Sequence, residues 1–185
     1  MKTLLLLVAM SVTATAAAQA PPPVVTVHEA AGAYSVEARF DVAAPVAVVR
    51  DVLTDYAGIP RFMPDIRTSI VRHREGSVVT VEQEAHSKFL MFSKTIHLLL
   101  QVQEGPQVLT FRDVCGASFK RYEGSWTLVG SEGGTTVAYS LTADPAFKVP
   151  ASVLRRLLER NARQTIDHLR AEAGLRAAAT LRAAR

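Results

Sequence analysis

One cysteine in 185 residues, Cys115, leaves no possibility of an internal disulfide, so non-covalent packing must hold this chain together. A lone thiol of this kind is expected as a small, buried and inert apolar group. The five histidines show no H-x-x-x-H or comparable ligand spacing, so no metal site is expected. A G-x-S-x-G elbow, a G-x-x-x-x-G-K-[ST] phosphate loop and a Rossmann glycine pattern are all missing, and no cofactor is expected. Gly130-Ser131-Glu132-Gly133-Gly134 is Gly-rich but joins two strand patterns, and reads as a turn. Long hydrophobic runs are absent too. The strongest is Leu4 to Met10, far short of the roughly 20 residues that a spanning helix needs.

That short run has the right neighbours for a secretory leader. Lys2 precedes it, and Ala18-Gln19-Ala20 supplies a small-x-small cleavage site. The expectation is an exported protein, periplasmic in a bacterium, cleaved near Ala20. About 165 residues then remain, enough for one domain that buries roughly 70% of its unfolded surface. The organisation read from the chain is a signal peptide over 1–20, an extended arm over 21–33, one domain over 34–174 and a basic Ala/Arg-rich tail over 175–185. The formal charge is +4, with much of the excess on the last helix and tail. A basic helix face offers attraction to an anionic membrane surface, or is a solvated face. An exported chain meets no nucleic acid, so that partner is not expected.

Period decides the elements. Tyr34 to Val42 alternates as a strand, Pro45 opens a short helix through about Thr54, and Asp55 to Ile66 is a loop with a helical turn. From Arg67 to Ala143 six further period-two runs follow, broken at Glu75-Gly76, Gly105-Pro106, Gly116 and Gly130 to Gly134. After Pro150 the period becomes helical, with Val153, Leu154, Leu157, Leu158, Ala162, Ile166 and Leu169 in one stripe. Asn161 and Thr165 interrupt that stripe, and Gly174 reads as its stop, with the Ala/Arg-rich residues beyond it either extending the helix or fraying. The fold class is α+β: a seven-stranded curved antiparallel sheet, two short helices after the first strand, and a long C-terminal helix that the sheet grips.

Two motifs sharpen this. Asp55-Tyr56-Ala57-Gly58-Ile59-Pro60-Arg61-Phe62-Met63-Pro64 and Tyr122-Glu123-Gly124-Ser125-Trp126-Thr127-Leu128 resemble segments of the START-like (SRPBCC) superfamily, its polyketide cyclase/dehydrase and lipid-transport group. The nearest likeness is to the coenzyme Q-binding proteins, over about Tyr34 to Ala173. The chain departs from them at Gly116-Ala117-Ser118-Phe119-Lys120, where that branch carries a Gly-Pro-Phe run. The resemblance implies an apolar cavity between sheet and helix, holding a lipid, quinone or polyketide-like molecule for carriage or protection.

The inward patterns name the expected ligand contacts. Phe40, Phe89, Phe111, Trp126 and Tyr139 offer flat apolar surfaces, Val81 and Leu158 line the same side, and Gln83, Asn161 and Thr165 are the polar anchors. Phe62 and Met63 are either a gate at the mouth or a plug at the end of the core; Trp126 is either a contact or core. Two alternatives stay open. A cyclase or dehydratase would need a general acid or base, for which Asp113 and Tyr122 share the inward parity while His86 and His97 fall outward. A protein-interaction module would have a filled core.

Overall fold

Alternating apolar residues form strand wherever one face can be buried, and here all of them join a single sheet. The computed structural model describes residues 23–89 and 92–184; residues 1–22, with the expected leader, and Leu90, Met91 and Arg185 lie outside the described residues. Strands β1 (Val24–Ala30), β2 (Ala33–Val42), β3 (Ile66–Glu75), β4 (Val78–Phe89), β5 (Phe92–Glu104), β6 (Val108–Asp113), β7 (Phe119–Ser131) and β8 (Gly134–Pro145) are antiparallel in the order β1-β2-β8-β7-β6-β5-β4-β3. Helices α1 (Val46–Thr54) and α2 (Ile59–Phe62) follow β2, and α3 (Ala151–Ala183) closes the chain.

The strand count is eight, not seven. Val25 and Val27, expected in a loose arm or short edge strand, take the second form and face inward opposite Ala38 and Val36 of β2. A two-residue turn makes the pairing possible, with Ala31 at φ 52° and Gly32 at φ 83°, the double left-handed geometry that matches strand twist. The inward register then runs unbroken across the sheet: Val36 pairs Leu141, Leu141 pairs Gly124, and Gly124 pairs Phe111.

The last helix differs from expectation as well. It does not stop at Gly174 but continues to Ala183, so of extension and fraying it is extension that describes residues 175–183. A glycine ends a helix only where the chain turns left-handed. Past Gly174 two contacts hold the helix instead: Ala177 packs against the core, and Arg176 pairs with Glu172 and with Asp55, each at 2.7 Å. Leu154, Leu158, Ala162, Ile166, Leu169 and Ala173 form the buried stripe, packed on α1, β1 and β2. Among the described residues no helix is long and apolar enough to cross a membrane.

Two glycines should respond oppositely to an added methyl. A Cβ on Gly174 meets nothing within 4 Å, so Gly174→Ala should raise stability by about 0.5–1 kcal/mol. A Cβ on Gly124 would sit 2.1 Å from the Ser140 carbonyl oxygen and 2.6 Å from the Phe111 ring, so Gly124→Ala should cost about 2 kcal/mol or more. Urea unfolding of the two variants beside the parent checks both signs.

Candidate functional site

The inward face of the sheet carries more area than one helix can cover, and the uncovered part is a cavity of about 390 Å³ at the N-terminal half of α3. Its floor is apolar: Leu98 from β5, Leu141 from β8, and Leu154, Leu157, Leu158 and Ala162 from α3. The lining continues through the α2–β3 connection (Met63, Asp65, Ile66), the β4–β5 end (His86, Lys94) and the β8–α3 connection (Phe147, Lys148, Val149). Lys94 lies over the Phe147 ring, 4.0 Å from its centroid.

Half of the expected contacts meet at this cavity. Met63, Gln83, Tyr139, Leu158, Asn161 and Thr165 line it, and so does Tyr122. Four do not. Val81 is fully buried within the closed part of the core. Phe40 is covered by the Arg170 guanidinium, 5.4 Å from its centroid, near the C-terminal half of α3. Phe111 folds over Gly124, the space a side chain there would have filled. Trp126 stacks on Tyr139 with centroids 4.1 Å apart, so the tyrosine faces the cavity and the indole backs it. The side chain of Phe89 lies outside the described residues.

Phe62 and Met63, adjacent in sequence, part company. Phe62 packs against the core, with the Arg176 guanidinium 5.9 Å above its ring, while Met63 reaches the lining. The loop before them is a brace. Asp55 accepts the Gly58 N–H (3.1 Å) and ion-pairs with Arg61 (2.8 Å) and Arg176 (2.7 Å). Tyr56 donates to Glu104 at 2.8 Å, and Arg74 grips the same carboxylate at 3.0 and 3.1 Å. Burial raises the Tyr56 phenol first, and its bond to Glu104 raises it further. Burial acts to raise Glu104 too, but the hydrogen bonds from Arg74 and Tyr56 outweigh that and hold it below its ordinary value.

Three polar expectations change. Asp113 is not in the cavity: its carboxylate accepts the backbone N–H of Leu99 (2.9 Å), Cys115 (3.2 Å) and Gly116 (3.0 Å), folding the turn into β7. Cys115 rides on that turn, exposed and not buried, because a short loop leaves the sheet's inner face. His86, read as outward by alternation, lines the cavity while His97 stays exposed. A register shift in β3 between Ile66 and Thr68 adds local twist there, and the His86 N–H bonds the Asp65 carbonyl (2.8 Å) across it.

The polar atoms in the cavity are mostly neutral. Burial pushes the Tyr122 phenol up to about 12, with the Asp113 charge adding to it. Burial likewise lifts Tyr139 well above its ordinary value, with Tyr122 contributing. Both phenols are protonated at neutral pH and offer hydrogen-bond donors. The Gln83 amide gives its N–H to Ser69 at 3.1 Å. His168 and Phe119, not anticipated from the sequence, complete the lining; the helical stripe extended one turn beyond Thr165 points to His168, whereas no sequence pattern pointed to Phe119.

Known proteins bear on this arrangement. The family described as polyketide cyclase / dehydrase and lipid transport matches residues 33–174. No curated protein matches the sequence. Among solved structures, the Zhui aromatase/cyclase from Streptomyces sp. R1128 is similar with a TM-score of 0.66 and 19% identity, over 78% of this chain and 95% of that one. The STAR-related lipid transfer protein from Xanthomonas axonopodis gives 0.63 and 17%, over 83% and 99%. A START superfamily protein from Mycobacterium smegmatis gives 0.63 and 14%, over 76% and 97%. At these identities the likeness is one of fold.

The brace should be pH-sensitive. Glu104 has a depressed folded pKa, so its stabilisation is present above the unfolded value and is lost as the pH falls through the folded one. Tyr56→Phe should therefore cost about 1–2 kcal/mol at pH 7 and distinctly less at pH 3, below the ordinary glutamate range. Urea unfolding of parent and variant at both pH values measures the difference.

Proposed function

Because the chain belongs to the polyketide cyclase/dehydrase and lipid transport family, we propose that it is an exported protein that binds an apolar small molecule between its sheet and α3, as carrier or protector. The observation that carries this reading is the cavity of about 390 Å³, lined mainly by apolar side chains with a few polar groups, the usual make-up of a small-molecule pocket. Affinity would come from burying apolar area, at roughly 25 cal/mol per Å². A lipid, a polyketide-like ring system or a quinone (the ligand suggested by the Tyr56 to Pro64 segment) are the candidates. Met63, Gln83, Tyr139, Leu158, Asn161 and Thr165 are its proposed contacts, with Phe89 retained for its place at the end of β4.

Export rests on Lys2, the Leu4 to Met10 run and the Ala18-Gln19-Ala20 site. Arg155 and Arg156 are exposed near the N-terminal end of α3, beside the lining residues Leu154 and Leu157. Farther along α3, Arg163 is engaged by Glu159 and the Pro23 carbonyl, and Arg170 by the Asp41 carbonyl. Contact with an anionic membrane is therefore proposed at this N-terminal end of α3, beside the cavity.

A cyclase or dehydratase is the second reading, favoured by Tyr122 and His86 standing together on the lining. A neutral phenol whose pKa is about 12 is a poor proton acceptor at neutral pH, and this weighs toward carriage. The filled-core interaction module lacks support, since the space that it needs occupied is the cavity.

The mature protein, taken from the periplasm, should show an intact mass cut near Ala20 and release a stoichiometric apolar species into organic solvent. Leu157→Trp, which extends a lining side chain into the cavity, should lower that yield at least tenfold while still unfolding cooperatively. An empty extract, with no thermal stabilisation by added lipids or quinones, would sink the carrier reading.

A further inference from the structure

Resting on the reading of this cavity as an apolar ligand site, we propose that its ligand is an amphiphile with an anionic group, a carboxylate or a phosphate ester, and that Lys94 and Lys148 receive that group. The charged side chains on the lining are unequal in sign. Lys94 and Lys148 are cations and Asp65 is the single acid, beside two histidines, His86 and His168. Among the described residues neither lysine has a carboxylate partner, whereas Lys120, off the lining, pairs with Asp144 at 3.8 Å. Both lining lysines are exposed, so their ammonium groups are open to a ligand.

Lys94 shows where the charge sits. A solvated lysine carries its ammonium out into water, but Lys94 Nζ lies 4.0 Å from the centroid of the Phe147 ring, and that ring is part of the lining. Lys148 follows Phe147 in the chain and lines the same space. Phe147 meets Phe119 with centroids 6.2 Å apart, and Phe119 meets Tyr122 at 4.9 Å. One aromatic wall thus connects the ammonium with a phenol of the lining. A ligand's apolar body fits along this wall and the leucines of α3 while its charged end meets the lysines. An ammonium has three donors and no acceptor, and its bonds to carboxylate or phosphate are stronger than neutral ones. A ligand bearing its own ammonium would meet two like charges and one acid, and a neutral ligand would leave both lysines unused. The class is therefore an apolar acid or phosphate ester, and not an amine.

The test uses two dyes with the same rings, 1-anilinonaphthalene-8-sulfonate and its neutral counterpart N-phenyl-1-naphthylamine, each titrated by fluorescence. The double variant Lys94→Gln, Lys148→Gln should lose roughly three- to tenfold in affinity for the sulfonate, the value of two solvent-screened ion pairs, and less than about twofold for the neutral dye. Lys120→Gln makes the same charge change off the lining and should leave both dyes within about twofold of the parent. Replacing both lining lysines by arginine keeps the charges and should keep the affinity. Leu157→Trp should weaken both dyes, which places them in the cavity. Decanoate and decyl phosphate, competing against the neutral dye, then separate the two sources of charge: the one that loses more in the double glutamine variant names the group. Equal losses for the two dyes, a loss in K120Q or in the arginine pair as large as in the glutamine pair, or a sulfonate dye indifferent to L157W overturns the assignment and leaves the cavity reading standing. If neither dye binds the parent, the cavity reading itself falls and this proposal with it.

Discussion

A single helix must cover the inward face of eight strands, and everything else in this protein follows from how it divides that task. At its C-terminal half α3 is tight: Ile166, Leu169 and Ala173 are fully buried, packed against β2 and α1. At its N-terminal half the stripe is only partly covered, with Val153 and Leu157 half-buried beside open space. Packing energy scales with area removed from water, so the closed half supplies stability and the open half supplies room. The division of labour lies along one helix.

The loop from Asp55 to Met63 belongs to the closed half although its last residue serves the open one. Asp55 and Tyr56 are spent on ion pairs and a hydrogen bond that tie the loop to α3 and to the sheet. Gly58 has no space for a side chain, since a Cβ would meet the Asp55 carboxylate at 2.2 Å. A segment recognised by its family likeness thus works mainly as a fastening, and places one flexible methionine on the cavity lining.

Most of the fold was legible because periodicity is local. The α3 stripe repeats every three to four residues, and the strands alternate, so each announces its buried face. For β1 the pattern left a loose arm and a short edge strand both open, because its two inward valines gain meaning only from pairing with β2. Gly174 misled for a related reason: what holds the helix beyond it is Asp55, 121 residues away in sequence. The site was legible in part. Parity found Gln83, Tyr139 and Asn161, but parity cannot say how far along a strand the open space extends. It therefore also nominated Phe40, Val81, Phe111 and Trp126, which share the face and not the cavity. Asp113 and His86 show the limit more sharply, since a turn captured one and the other lines the cavity against its parity.

The pairing of β2 with β8 has a consequence for how the chain is made. Tyr34 lies opposite Ala143, and Arg163 of α3 reaches back to the carbonyl of Pro23. A ribosome delivers the first partner of each contact long before the second. Until the C-terminal third emerges, β1 and β2 have no neighbour on their free side and the inward face has no cover. Closing so long a loop is slow relative to local structure. The nascent protein therefore stays unfinished for nearly the whole of its synthesis, an interval in which a chaperone has an open chain to bind.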